Sequence, residues 1–138
     1  MPLLFGTAGV PLSTKGGSTE AGVRRVRELA LDAMEVEFVQ GVRMGEEKAG
    51  KIAKIAQEVN VALSCHGPYW INFNSQDPEK VVASRERLLH SARIGQILGV
   101  KSVVFHPAFY HEDEPELVLE RTARELLKVR EILAAEGN

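Results

Sequence analysis

The sequence predicts one α/β domain in which four parallel strands alternate with four helices. Three observations support this prediction. The 138 residues, 44% apolar and 26% charged, have the length and composition of a single globular domain. Short apolar runs alternate with longer segments whose apolar residues recur every three to four positions. Because the strand–helix order never varies, the strands are expected to be parallel, with helices covering the sheet.

The first two strand–helix units lie before residue 61. An apolar run at 3–5 predicts a strand, and a glycine-containing loop that starts at Gly6 leads to a helix capped by Ser18 or Thr19. The second strand is predicted at 34–39, and its helix begins near Gly45. The buried faces of these two helices are expected to contain Val23, Val26 and Ala30, then Ala49, Ile52, Ala53, Ala56 and Val59.

The third unit begins with a strand at 61–65. Asp77 and Pro78 predict the start of its helix, because a capping acid precedes a proline at the first helical position. Gly99 is expected to end the helix. The residues expected to be buried are Val81, Leu88, Ala92 and Leu98.

The fourth unit consists of a strand at 103–105 and a long helix. Glu114 and Pro115 predict where this helix begins, and Gly137 predicts where it ends. Its buried stripe is expected to contain Leu119, Ala123, Leu126 and Leu133.

Two architectures fit this order of elements, an open doubly wound sheet and part of a (β/α)₈ barrel. In both, ligands bind beyond the carboxyl ends of the strands. No glycine-rich phosphate-binding motif follows any predicted strand, which argues against a nucleotide-binding domain. No apolar run is long enough to span a membrane, and the single cysteine, Cys65, suits a reducing compartment. We therefore expect a cytoplasmic protein.

Two predicted strands end in the same unusual way. The third runs into His66, followed by Gly67 and Pro68, and the fourth runs into His106, followed by Pro107. Neighbouring parallel strands lie about 4.8 Å apart, so the two imidazoles could share one divalent metal ion. The alternative is that each histidine is hydrogen-bonded at the edge of the core.

Other side chains near the same edge have two interpretations. Glu35 and Glu37 alternate onto one face of the second strand, where Glu37 could serve as a buried carboxylate or either residue could form a salt bridge. Arg43 could contact an anion or remain solvated. Tyr69 and Trp70 are expected to pack under a neighbouring loop or to be presented to a ligand.

The remaining candidates have simpler interpretations. Cys65 alternates away from His66 and is expected to be a small core residue. His90 lies off the apolar stripe of its helix and should be on the surface. His111 follows the fourth strand and is a further candidate metal ligand.

Several of these segments resemble the endonuclease IV family of apurinic/apyrimidinic endonucleases, within the xylose-isomerase-like TIM barrel superfamily. The similar segments are HGPYWIN at 66–72, SRERLLHSARIGQILG at 84–99 and VVFHP at 103–107. The segment AMEVEFVQGVRM at 33–44 resembles archaeal-type members in particular.

The resemblance implies a (β/α)₈ barrel that uses zinc to hydrolyse DNA on the 5′ side of an abasic site in DNA repair. His66 and His106 match two ligands of one zinc ion, and Arg43, Tyr69 and Trp70 match positions that contact DNA. Glu37 and His111 are additional candidates. The same superfamily also contains sugar isomerases and epimerases that use one divalent metal.

Family members are about twice as long as this chain, so residues 1–138 are expected to form the N-terminal half of the barrel, its first four βα units. Most metal ligands belong to the other half, and we therefore expect this chain to be inactive alone. A half barrel exposes two strand edges and its inner sheet face, which favours homo-oligomers such as a two-fold dimer of eight strands. A non-catalytic interaction module is the third interpretation.

Overall fold

The computed structural model describes residues 3–137 as a four-stranded parallel sheet flanked by four helices. The strands are β1 (Gly6–Ala8), β2 (Ala33–Glu37), β3 (Ala62–His66) and β4 (Val103–Val104). The helices are α1 (Thr19–Glu28), α2 (Glu46–Glu58), α3 (Pro78–Leu98) and α4 (Pro115–Glu136). The sheet order is β1-β2-β3-β4, and every pairing is parallel. The predicted α/β class and the alternating units are therefore confirmed.

The residues predicted to cap the helices do so in the structure. The Ser18 hydroxyl accepts a hydrogen bond from the backbone N–H of Ala21 at 3.2 Å, and the Asp77 carboxylate accepts one from Glu79 at 2.9 Å. Gly99 ends α3 in a left-handed conformation with φ of 74°. Because these caps satisfy free backbone groups, they fix where the helices begin and end.

The helix-facing side of the sheet forms the main core. Met34 and Val36 of β2 and Leu63 and Cys65 of β3 are buried against α1, α2 and α3. A second cluster joins α3, α4 and the loop after β3 through Ile71, Phe73, Leu88, Leu89 and Val129. The helices thus cover one face of the sheet, and the other face, termed the inner face here, carries the alternate side chains.

The first strand lies three residues later than predicted. Residues 3–5 are exposed, and Gly6–Ala8 forms the strand instead. A Cβ at Gly6 would lie 1.9 Å from the carbonyl oxygen of Ala33, so only glycine permits this close pairing with β2. Tertiary pairing therefore overrides the local strand preference of 3–5. The other three strands differ from their predicted ends by one or two residues.

Three predicted buried positions were wrong in the helices. Ala30 follows the end of α1, is exposed and has a left-handed φ of 59°. In α4, Leu119 and Ala123 face solvent, whereas Leu126 and Leu133 are partly buried. The buried stripe is displaced by one residue from the prediction and consists of Val118, Thr122, Glu125 and Val129.

This displacement brings a charged residue into the α3–α4 contact. Glu125 is buried and accepts a hydrogen bond from Arg85 Nη1 at 2.7 Å, while Lys128 Nζ lies 2.5 Å from its other oxygen. A second pair, Arg93 and Glu136, joins the same helices at 2.6 Å but is much more exposed. A hydrophobic pattern alone does not predict the orientation of a helix that buries a paired carboxylate.

None of the helices between residues 3 and 137 combines the length and apolarity needed to cross a membrane. The cytoplasmic location stays a prediction.

Replacing Arg85 with Met should lower the free energy of unfolding by about 2 to 3 kcal/mol, because Glu125 would remain buried with only Lys128 as its partner. Arg93→Met breaks an exposed ion pair between the same two helices and should lower the free energy of unfolding much less. Urea unfolding of both variants would measure the difference. Equal losses would contradict the importance assigned to the buried pair.

Candidate functional site

Three strands bring polar side chains to the carboxyl edge of the inner face. Glu37 ends β2 and lies opposite His66 of β3 in the parallel register. His66 lies opposite Val104 of β4, and His106 follows Val104 by two residues. Because Cys65 is fully buried among the helices, alternation directs His66 to the inner face. Both histidines therefore reach the same edge of the sheet.

The two imidazole rings lie close together and share an aromatic neighbour. The ring centroids of His66 and His106 are 5.3 Å apart, with an angle of 45° between the planes. The Tyr69 ring lies 5.6 Å from His66 and 5.9 Å from His106. The backbone N–H of Tyr69 donates to the Val39 carbonyl at 3.1 Å, which joins the loop after β3 to the end of β2.

A short hydrogen bond determines which nitrogen of His66 is available. Its Nδ1 lies 2.7 Å from the carbonyl oxygen of Gly67. A carbonyl only accepts, so Nδ1 is the donor, and in the neutral ring Nε2 carries the lone pair. Metal-binding histidines are commonly oriented in this way. Gly67 also donates to Val104 at 2.7 Å, so the turn that positions His66 is attached to β4.

The geometry of the pair fits two of the positions around a zinc ion. With Zn–N bonds of about 2.1 Å, ring centroids lie about 3 Å from the metal and about 5 Å apart at a tetrahedral angle. The centroids of His66 and His106 are 5.3 Å apart. Within residues 3–137, however, no group of three or more His, Cys, Asp or Glu side chains is arranged to hold a metal. The separation of the two rings therefore matches that of two zinc ligands, but residues 3–137 gather no complete site, and the metal-binding role of the pair stays a prediction.

Neither interpretation of the two β2 carboxylates is correct: no salt bridge forms among the described residues, and Glu37 is not buried. Among the described residues, Glu35 and Glu37 have no ion-pair partner. Glu37 is exposed, and its carboxylate lies beside Gly9, where a Cβ would come within 2.9 Å of it. The two carboxylates are therefore not held in a direct ion pair, although Arg43 and Lys48 line the same cleft.

Arg43 and the two neighbouring aromatics lie on loops at this edge. A cleft of about 550 Å³ extends along β2 and the loop that follows, and Glu37, Arg43 and Lys48 contribute to its wall. Tyr69 and Trp70 are 51% and 64% exposed, so the expectation that they pack under a loop was wrong. Large exposed aromatics beside a cleft are typical of a ligand-contacting surface.

The other candidate residues are not part of the histidine pair. His90 is exposed on α3, and Cys65 is buried in the core, as predicted. His111 is exposed with a left-handed φ of 53°, and its Nε2 lies 3.3 Å from the Asn72 side-chain nitrogen. Its ring contacts Phe109, 6.2 Å away between centroids, and it is not gathered with His66 and His106.

A buried polar network beneath the site was not predicted from the sequence. Asn74 is fully buried, and its Nδ2 donates to the Phe109 carbonyl and to Asp113, both at 3.0 Å. Arg121 Nη1 donates to Asn74 at 2.7 Å and to Asp113 at 2.9 Å. The network joins the loops after β3 and β4, which carry the aromatics and His106. Its partners are far apart in sequence, and no local pattern indicates them.

Comparison with known proteins identifies related chains. Residues 23–137 match the family described as xylose isomerase-like TIM barrel. The chain is 36% identical over 133 residues to an uncharacterized protein of Methanocaldococcus jannaschii, covering 96% of this chain and 47% of that protein. It is 30% identical to a probable endonuclease 4 of Streptomyces coelicolor, covering 78% of this chain and 47% of that protein. The chain thus spans about half the length of these curated relatives.

Solved structures show the same fold. Endonuclease IV from Thermus thermophilus matches with a TM-score of 0.70 at 20% identity, over 95% of this chain and 47% of that one. An L-ribulose 3-epimerase matches with a TM-score of 0.72 at 17% identity, over 97% and 47%. The four βα units are therefore half of a TIM-barrel-like fold, and the predicted resemblance to endonuclease IV is confirmed.

The Cys65 thiol should make the free energy of unfolding depend on pH in the alkaline range. Burial raises the pKa of Cys65 to about 11 from the ordinary 9.0, and the Glu35 carboxylate adds to the shift. Because the folded state holds this proton more tightly, the resulting stabilisation is complete below pH 9 and is lost as the pH rises through about 11.

The excess stability of the wild type over Cys65→Ala should therefore shrink between pH 9 and about 11. Urea unfolding across this range would measure it. Val36→Ala removes a buried side chain that does not titrate. The loss in free energy of unfolding that it causes should therefore stay constant with pH. A constant deficit for Cys65→Ala would contradict the raised pKa.

Proposed function

Because the chain belongs to the xylose isomerase-like TIM barrel family, we propose that it is the N-terminal half of a DNA-repair apurinic/apyrimidinic endonuclease barrel. In this proposal its substrate is DNA with an abasic site, cleaved on the 5′ side with the help of zinc. The observation that carries the proposal is the His66–His106 pair, at 5.3 Å, on the same edge as two exposed aromatics. Similarity to a probable endonuclease 4 supports the choice of substrate.

His66 and His106 are proposed as zinc ligands. The proposal is supported by the Nδ1 contact of His66, which leaves Nε2 of the neutral ring for a metal, and by the 5.3 Å between the ring centroids. Zinc held there would supply Lewis-acid chemistry toward a phosphate. This chain provides two donors, fewer than a zinc site requires, so no hydrolytic step is assigned to it alone.

Tyr69, Trp70 and Arg43 are proposed to contact DNA. Trp70 is the more exposed of the two aromatics, and a large apolar side chain of this kind can insert between base steps or replace a missing base. Arg43 is exposed at the cleft and can pair with a phosphate. The aromatics and the cation would act together, since their loops are joined through the Tyr69–Val39 hydrogen bond.

A sugar isomerase or epimerase that uses one divalent metal is the second candidate. The position of Glu37, opposite His66 in register and without an ion-pair partner in residues 3–137, favours it. A carboxylate beside a metal-polarised carbonyl could transfer a proton, and Trp70 would form a wall of the sugar pocket. Metal-dependent interconversion of ketoses would distinguish this candidate. A non-catalytic half barrel would show neither activity.

Binding to a fluorescent duplex with a tetrahydrofuran abasic site would test the DNA contacts. Trp70→Ala should weaken binding about tenfold, because an aromatic stacked on a base contributes about 1–3 kcal/mol. Arg43→Gln should weaken it and lower the slope of log affinity against log salt by about 1. Fluorescence anisotropy over a range of salt concentrations would measure both effects.

Two matched variants serve as controls. Val82→Ala removes an exposed apolar side chain from α3, and Arg130→Gln removes an exposed cation from α4, both away from the cleft. Neither should change the affinity. If the controls and the site variants lose the same affinity, or if intact duplex binds as tightly as abasic duplex, the proposed contacts are wrong.

The chain alone, supplied with zinc, should cut the abasic duplex no faster than zinc without protein, because it contributes only two ligands. Denaturing gel electrophoresis would measure strand cleavage. Rapid cleavage that His66→Ala abolishes would show that two histidines suffice and would contradict the incomplete site.

A further inference from the structure

The turn that carries Trp70 is attached to the body of the protein at both ends. On one side of the turn, the backbone N–H of Tyr69 donates to the Val39 carbonyl at 3.1 Å. On the other side, the backbone N–H of Asn72 donates to the hydroxyl of the buried Ser84 in α3 at 3.0 Å. Between these two points the indole of Trp70 is 64% exposed.

One side chain of α3 holds the middle of the same turn. Arg87 Nη1 donates to the carbonyl oxygen of Trp70 at 3.2 Å. This hydrogen bond restrains the planar peptide group between Trp70 and Ile71, and the Ile71 side chain is fully buried. Because that peptide group adjoins the Cα atom of Trp70, its orientation helps to set the direction in which the indole points.

No carboxylate competes for the Arg87 guanidinium in the described part of the chain. Arg85 and Arg93 of the same helix each form an ion pair with a glutamate, whereas Arg87 lies within 4.0 Å of no carboxylate of residues 3–137. A charged donor forms a stronger hydrogen bond with a carbonyl than a neutral donor does. The Trp70 carbonyl is therefore a favourable partner for this cation.

We propose that Arg87 is a positioning residue for Trp70, which holds the turn so that the exposed indole is preorganised to enter DNA. The proposal rests on the proposed function, in which Trp70 contacts DNA at an abasic site. An aromatic side chain on a loose turn loses conformational entropy when it enters a ligand, and this cost lowers affinity. Arg87 reduces the cost through the backbone of Trp70 and does not itself contact the DNA.

Tryptophan fluorescence of the free protein would test the first half of this proposal. Trp70 is the single tryptophan of the chain, so its signal reports on this turn alone. In time-resolved anisotropy, the amplitude of the fast local motion of the indole should rise in Arg87→Met, because exposed side chains move within nanoseconds when nothing restrains them. Arg130→Met, which removes an exposed arginine of α4, is the matched control and should leave the amplitude unchanged.

Binding to the tetrahydrofuran duplex would test whether order in the turn contributes to affinity. Arg87→Met should weaken binding about threefold to tenfold, which corresponds to the net contribution of one hydrogen bond. The same substitution in a Trp70→Ala chain should cause no further loss, since no indole remains to be positioned. The slope of log affinity against log salt should also stay unchanged, because a positioning residue neutralises no phosphate.

Either of two results would overturn the positioning role. The first is an unchanged anisotropy in Arg87→Met. The second is an equal loss of affinity in the presence and absence of Trp70 with a slope lowered by about 1, which would show that Arg87 contacts a phosphate directly. If circular dichroism shows that Arg87→Met fails to fold, Arg87→Lys takes its place and should show a smaller rise in local motion.

The two measurements also separate this proposal from the proposed function. The anisotropy is measured without DNA, so it decides whether Arg87 holds Trp70 even if the wild type does not distinguish abasic from intact duplex. That failure would contradict the proposed substrate alone. Increased local motion without any loss of affinity, in a chain that Trp70→Ala weakens, would overturn the preorganisation and leave the DNA contact of Trp70 in place.

Discussion

The alternation of side chains along β2 and β3 is the constraint on which the rest of the structure depends. Met34, Val36 and Cys65 occupy the core beneath the helices, so their neighbours Glu35 and His66 must occupy the inner face. A register shift of one residue would bury a carboxylate and an imidazole among apolar side chains, at a high cost in free energy. The apolar core therefore determines where the polar edge lies, and the two cannot change independently.

Contacts between the loops after β3 and β4 hold the segments that carry the histidines and aromatics. Strand ends alone leave a loop many conformations, but the buried Asn74 and the partly buried pair of Asp113 and Arg121 join the loops after β3 and β4. Gly67 allows close approach to Phe105, since a Cβ there would lie 3.3 Å from its side chain. Buried polar networks hold a unique geometry because each unsatisfied member would be costly. The 5.3 Å ring separation depends on these contacts as well as on the sheet.

The sequence predicts those features of this chain that depend on local chemistry. Asp77–Pro78 and Gly99 bound α3 because capping is decided within a few residues. The meeting of His66 and His106 follows from parallel strands with common ends. The position of β1 could not be predicted, because Gly6 is selected by contact with Ala33. The face that α4 buries depends on the hydrogen bond between Glu125 and Arg85, which lie 40 residues apart. The exposure of Trp70 depends on how the loops pack. Long-range contacts of this kind leave no periodic signal.

The composition of the inner face connects barrel closure with metal binding. Ala33, Ala62 and Ser64 offer little apolar area, so covering them contributes little hydrophobic free energy compared with an ordinary barrel interior filled by branched side chains. Glu35 and Glu37 add an electrostatic cost to any cover that lacks a cation. Strand-edge hydrogen bonds favour closure, but they do not distinguish one partner from another. Charge is therefore the stronger discriminator at this edge, where Glu35 and Glu37 lie beside the His66–His106 pair and share a cleft with Arg43 and Lys48.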